Sequence, residues 1–419
     1  MADILLLCAR LSMLLLGVLC AYQGVYTALT LLKKPKTPAK GPQNRYAVLI
    51  CARNEQAVIG ELLDSLKAQQ YPQGRLDLYV AADNCTDATA QVARAHGATV
   101  YERQDQLHVG KGYALDFLLH SIWKDGGQYA GYFVFDADNL ASPDFVARMD
   151  EVFAGGYPVV TGYRNSKNYP GWVASGYALS FLRDARFLNA PRMMLRTSCV
   201  VTGTGFLVAE SVLKQAGGWP WHMLCEDFQF SVEQVLAGRK IGYCADAVFY
   251  DEQPTHFAQS VHQRIRWCKG FMQVALRYGA RMVGGVCRGC WACADLLLCY
   301  MPLILCSAAA LGCTLAAAVL SGRMAIFWWG ALQMAAFSYL SLAGMGLLTC
   351  LTEWKRIQAT TRQKLASVAT FPLFMAIYLL VAVLAVFSKS RWVPIRHTAA
   401  MSLKQVHEVG RKKDMQKIA

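Results

Sequence analysis

Charge is scarce in this sequence: Asp, Glu, Lys and Arg make up 17% of its 419 residues, against 55% hydrophobic. The shortage is concentrated at the two ends. Residues 11–32 carry no charge over a length that crosses the roughly 30 Å hydrocarbon core of a bilayer. A cleaved signal peptide has a shorter apolar core and a small-residue cleavage site, so the run reads as a retained anchor. Three further apolar stretches, about 296–320, 324–351 and 365–387, read as transmembrane helices separated by Arg323 and the basic loop Lys355–Lys364.

Acidic residues are scarcer than basic ones, 28 against 42, and the two basic stretches that flank the middle of the chain contain none. Lys33, Lys34, Lys36, Lys40 and Arg45 follow the first run with no acid among them, and Arg264, Arg266, Lys269, Arg277, Arg281 and Arg288 precede the second group in the same way. An excess of Lys and Arg marks cytoplasmic segments, which puts the stretch between them on the cytoplasmic side. Much of the +14 formal charge is thereby a membrane-surface and topology signal, and nucleic acid is a poor explanation for it. Three crossings after a cytoplasmic domain would leave the tail outside, yet Arg391, Arg396, Lys404, Arg411, Lys412, Lys413 and Lys417 favour an inside tail. A disulfide scaffold is absent as well. Many of the 15 cysteines lie in apolar helices or a reducing compartment and read as small core residues. Cys287, Cys290 and Cys293 have metal-like spacing without a fourth ligand, which favours coincidence or lipidation over a cluster.

The expected layout is an N-terminal transmembrane helix over 1–32, a basic linker over 33–45, a globular domain over 46–262, an interfacial helical segment over 263–292, transmembrane helices over 293–388 and a basic tail over 389–419. In the globular part, strands at Tyr46–Cys51, Leu76–Ala82, Thr99–Tyr101 and Tyr132–Phe135 alternate with helices near 56–70, 86–96 and 111–124. That alternation predicts a parallel, doubly wound α/β sheet, whose ligands sit beyond the carboxyl ends of the strands. Those positions are polar: Arg53-Asn54-Glu55, then Asp83-Asn84-Cys85-Thr86-Asp87, then Asp136-Ala137-Asp138.

Two aspartates one residue apart at a strand end suit a hard divalent ion, Mg²⁺ or Mn²⁺, bridging to a nucleotide diphosphate. Glu226-Asp227 opens a predicted helix and offers a carboxylate base for an acceptor hydroxyl. Farther on, Gln263-Arg264-Ile265-Arg266-Trp267 supplies forked hydrogen bonds for diphosphate and a flat indole for a sugar ring. The plainer alternatives are helix capping for the acids and a basic-aromatic interfacial helix for the last motif.

The ordered set Ala52–Glu55, Ala82–Asp87, Gly110–Gly112, Asp136–Asp138, Glu226-Asp227 and Gln263–Trp267 resembles family 2 glycosyltransferases over about residues 45–270. Its Q-x-x-R-W element resembles the processive branch of cellulose, chitin, hyaluronan and chitooligosaccharide synthases. The resemblance implies a GT-A fold, Rossmann-like and mostly parallel, with one N-terminal and about three C-terminal transmembrane helices. It implies inversion at the anomeric carbon and a UDP-sugar donor; the membrane expected for the chain is a bacterial inner membrane. Glu55 and Asp83, with Arg53 beside them, would hold the nucleoside, Lys111 the phosphates, and Asp138 the metal with Asp136 in the same donor site. Asp227 would be the base with Glu226 adjacent, and Gln263, Arg266 and Trp267 would line the diphosphate and acceptor end. Gly203, Thr204 and Gly205 resemble the small-residue loop beside the acceptor. The implied function is transfer to a growing β-linked glycan, with single addition to a membrane lipid and a non-catalytic scaffold or transporter as the alternatives.

Overall fold

The structure, a computed structural model, describes residues 1–33, 43–169, 171–388, 400–406 and 408; most of the basic linker and tail expected from sequence lies outside these residues. Helix α1 (Ala2–Leu32) precedes the globular domain. There follow β1 (Tyr46–Ala52), α2 (Ile59–Lys67), β2 (Leu76–Asp83), α3 (Thr89–Ala95), β3 (Thr99–Arg103), α4 (Lys111–Lys124) and β4 (Gly131–Asp136). The second half holds β5 (Leu140–Ala141), α5 (Phe145–Ala154), β6 (Val159–Ser166), α6 (Gly171–Asp184), a π-helical turn at Ala185–Asn189, α7 (Ala190–Met194), β7 (Phe206–Ala209), α8 (Glu210–Ala216), α9 (Glu226–Leu236) and β8 (Ile241–Asp251). Four long helices close the chain: α10 (Phe257–Cys287), α11 (Trp291–Ser321), α12 (Met324–Thr352) and α13 (Thr361–Phe387).

The eight strands form one sheet in the order β3-β2-β1-β4-β7-β6-β8-β5. The first four are mutually parallel, as the alternation predicts. Strand β7 then enters antiparallel between β4 and β6, and β5 pairs antiparallel with β8, so the sheet is mixed. Side chains alternate along β1: Tyr46, Val48 and Ile50 enter a core under α2 and α5, while Ala47 and Leu49 enter the opposite core with α4 and α6. Burial on both faces explains why β1 reads as an unbroken apolar run.

Among the described residues three helices are long and apolar enough to cross a membrane: α1, α12 and α13. Helix α11 adds an apolar segment at Leu305–Ser321. These cover the four apolar runs seen in the sequence. Helix α1 lies along α11, where the Asp295 carboxylate accepts hydrogen bonds from Tyr22 (3.2 Å), Tyr26 (3.1 Å) and both arms of the buried Arg192 (2.7 and 3.0 Å) on α7. Helix α10 reaches α13 through Arg264, whose fully buried guanidinium donates to the Phe374 carbonyl (2.8 Å) and rests on the Phe374 ring. The apolar helices are thus tied to the globular domain at several points.

Candidate functional site

The loops after β1, β2 and β4 meet at one edge of the sheet, because parallel strands point their carboxyl ends the same way. Asn54 and Asn84 begin two of them with φ of 58° and 53°, a left-handed conformation that asparagine tolerates. These loops brace each other: Asn54 Oδ1 accepts from the Thr86 amide (2.8 Å), and Asp87 accepts from the amides of Thr89 (3.0 Å) and Gln56 (3.3 Å). Asp87 is accordingly a loop brace. Asp83 is buried against Arg103, Nη1 to Oδ1 being 2.6 Å.

In the Asp136–Asp138 turn the two carboxylates have different surroundings. Asp136 is ion-paired with Lys111, whose ammonium also donates to the Gly203 carbonyl at 2.7 Å. Burial works against the charge on Lys111, yet Asp136 and Glu226 outweigh it and hold the ammonium above the ordinary lysine value. Asp138 is only 2% exposed and accepts from the Glu252 amide at 3.0 Å. Beside it Asn139 donates to Asp251 (2.9 Å), and Arg164 pairs with Asp251 and donates to the Thr202 carbonyl (2.9 Å). Burial raises the Asp251 carboxyl, Arg164 opposes the shift and hydrogen-bonded Asp138 adds to it.

Glu226 and Asp227 stand at the first turn of α9, facing the same space. Burial lifts both carboxyls above their usual range; mutual repulsion adds to the rise in Glu226, while Lys111 and Arg266 pull both back. A β-carbon placed on Gly203 would lie 3.6 Å from Asp227 Oδ2, so the small-residue loop borders that carboxylate directly. Gly205 adopts φ 64° and leaves no room for a side chain, since a β-carbon there would stand 2.2 Å from the Phe249 ring. Thr204 is fully buried, and its hydroxyl accepts from the Asp136 amide at 2.9 Å.

One cavity of about 900 Å³ unites these groups. Its walls include Arg53, Glu55, Asp83, Lys111, Asp136, Asp138, Gly203, Glu226, Asp227, Gln263, Arg266 and Trp267. All the residues expected from sequence therefore converge on it, save that Thr204 and Gly205 stand behind its wall and brace the loop. Trp267 meets Tyr177 and Phe181 edge-on (centroids 5.8 and 6.5 Å), and Gln263 Oε1 is buried with no hydrogen-bond partner among the described residues. Sequence reasoning missed Asn139, Arg164, Asp251, Glu252 and Gln253. The last three follow the long apolar run of β8, so the rule that located the other clusters would have found them had that strand been read.

The cavity does not end at this edge of the sheet. It continues between the apolar helices, past Ser307 and Leu311 of α11, Ala331, Met334, Ala335, Ser338, Tyr339 and Leu342 of α12, and Pro372, Met375, Ala376, Leu379 and Ala382 of α13. This second portion is mostly apolar, with a few hydroxyls; the cavity wall also carries the Arg183–Asp184 ion pair of α6.

Carboxylates at strand ends, a mixed sheet with a carboxylate-bearing α9 and a Q-x-x-R-W helix define a glycosyltransferase of GT-A architecture. The model of the family described as "Glycosyltransferase like family 2" matches residues 42–270, just over half of the chain, and the chain belongs to that family. Over 251 residues it is 28% identical to a beta-monoglucosyldiacylglycerol synthase of a Synechocystis species, covering 57% of this chain and 50% of that protein. Over 231 residues it is 23% identical to a poly-beta-1,6-N-acetyl-D-glucosamine synthase of Staphylococcus epidermidis, covering 55% of each. The chain thus spans about half the length of the relatives it matches. Among solved structures, the mannosyltransferase PcManGT from Pyrobaculum calidifontis in complex with GDP-Man and Mn²⁺ shares the fold, with a TM-score of 0.62 at 17% identity over 92% of this chain and all of that one.

Proposed function

We propose that this protein transfers a sugar, with inversion, from a nucleoside-diphosphate sugar to a hydroxyl of a membrane lipid. The carrying observation is the apolar continuation of the cavity among α11, α12 and α13: a hydroxyl presented at Asp227 has hydrocarbon-compatible space behind it. A translocating glycan would need polar partners along that path, since unpaired hydroxyls in apolar surroundings are costly. Similarity to a diacylglycerol glucosyltransferase agrees with this reading.

Asp227 accepts the acceptor's proton as the oxygen attacks the anomeric carbon and the bond to the diphosphate breaks. Burial keeps the Asp227 carboxylate basic against the pull of Lys111 and Arg266. Lys111, Arg266 and Gln263 receive the diphosphate, Arg53, Glu55 and Asp83 the nucleoside, and Trp267 the acceptor's polar end. Mg²⁺ or Mn²⁺ would be held by Asp138, with Asp136 alongside, and would neutralise the departing diphosphate. The donor set fits such an ion in kind, since the Asp136 and Asp138 carboxylates offer hard oxygen ligands at the end of β4. Among the described residues no group of three His, Cys, Asp or Glu is placed to hold a metal, so the nucleotide and water would have to supply the other ligands. The globular domain would face the cytoplasm.

Processive glycan synthesis is the second reading, favoured by Gln263, Arg266 and Trp267 and by the poly-N-acetylglucosamine synthase relative. The test is reconstitution in nanodiscs containing bacterial lipid extract, with labelled UDP-glucose, UDP-N-acetylglucosamine, UDP-galactose, UDP-glucuronate and GDP-mannose offered in turn. One added sugar on an organic-soluble product is expected. A water-soluble ladder of polymers would sink the lipid reading in favour of the processive one.

A further inference from the structure

The segment 400–406 returns to the globular domain after α13. Val406 is 0% exposed and packs with Leu140, also 0% exposed, and Tyr250, while Met401 and Leu403 pack around them. Ser402 and Gln405 close the short turn reciprocally, Ser402 N donating to Gln405 Oε1 at 2.8 Å. The segment is therefore a shaped plug, on the same side of the molecule as the globular domain.

What it plugs bears on the donor site. Leu140 pairs directly with Tyr250 where β5 meets β8. Two residues before Leu140 is Asp138, and the residue after Tyr250 is Asp251. Strand β5 has only two residues at the edge of the sheet: β8 pairs with it, Ser65 of α2 accepts from the Ala141 amide at 3.2 Å, and Leu140 is the residue that meets the returning segment. Asn139, just before β5, and Asp251, at the end of β8, join the network with Arg164, while Leu140 and Tyr250 next to them in the chain meet Val406.

We propose that the segment Ser402–Val406 is a clasp that fixes the β5–β8 pair and so sets the affinity of Asp138 for the metal–nucleotide complex, with Val406 as its positioning residue. This rests on the donor-site reading above. Supporting groups behind metal ligands typically change affinity about 10–100-fold when removed.

The test is calorimetric binding of UDP or GDP with Mn²⁺ to the full chain in nanodiscs, for wild type, Val406→Ile, Val406→Ala and Val406→Asp, each with its melting temperature. The expected result is weakening of roughly tenfold for Val406→Asp, less for Val406→Ala and none for Val406→Ile, with kcat at saturating donor little changed. A lowered melting temperature with unchanged affinity in both Val406→Ala and Val406→Asp would mean that the segment only stabilises the fold, and would overturn the clasp alone. Wild-type protein that binds neither nucleotide with Mn²⁺ would overturn the donor-site reading together with the clasp.

Discussion

Asp227 and Glu226 share a half-buried corner in which burial makes ionisation of both harder, and the Asp227 charge adds to the cost for Glu226. Replacing Asp227 with Asn should lower kcat by about 10²–10⁴, the usual share of a general base, while nucleotide affinity stays within a few-fold. The raised carboxyls also fix a direction for pH. In the proposed role Asp227 acts as its carboxylate, so the acidic limb of the rate profile should lie above the ordinary carboxylate range and vanish in Asp227→Asn. Stability runs the other way. A carboxyl whose folded pKa exceeds its unfolded value keeps its proton longer in the folded chain, so folding is penalised as pH rises from the unfolded value through the folded one. Thermal scans of wild type and Asp227→Asn should therefore diverge as pH rises across that window, with the variant the more stable. Much at this scale was legible in the sequence, since Glu55, Asp83, Asp136 and Asp138 announce themselves as polar residues after apolar strands. Arg164 did not, because it lies inside β6 and gains its role only by facing Asp251 across a long-range pairing.

Helix α10 must approach α9 closely to bring Gln263, Arg266 and Trp267 to the cavity, and Gly270 permits it. A β-carbon there would stand 2.4 Å from Cys225 Sγ and 2.8 Å from the Cys225 backbone nitrogen. Gly270→Leu should push α10 away from Glu226 and Asp227, reducing transfer by an order of magnitude or more while nucleotide binding to the β1, β2 and β4 loops persists; overpacking of this kind costs about 1–3 kcal/mol. The Arg192–Asp295 pair makes the corresponding join between α7 and α11. Asp295→Ala would take the carboxylate away from a buried guanidinium, at a cost of about 3–5 kcal/mol, read as a lowered melting temperature in detergent. Elements with local signals were legible: α4 spans Lys111–Lys124, where the alternation of strands and helices places a helix near 111–124. Strand β7 was not, because four apolar residues take their antiparallel place only by pairing with β4 and β6, which lie 70 and 40 residues or so upstream.

The whole molecule joins a donor site and an apolar chamber in one space, and that union was not legible from the runs of hydrophobic residues. The runs identified helices; the packing of α10 through α13 made a cavity among them. Filling that chamber tests its use. Ala335→Trp should depress transfer to a long-chain lipid far more than transfer to a short, water-soluble acceptor, with donor hydrolysis unchanged. Equal loss with both acceptors would mean that the chamber does not hold the acceptor's tail.

A substrate that reaches Asp227 from between α11, α12 and α13 arrives within the plane of the bilayer. Its effective concentration is then its mole fraction among neighbouring lipids, and diluting it with inert lipid should slow the reaction even when the amount per litre of suspension is constant. Adding more vesicles of the same composition should leave the rate per protein unchanged.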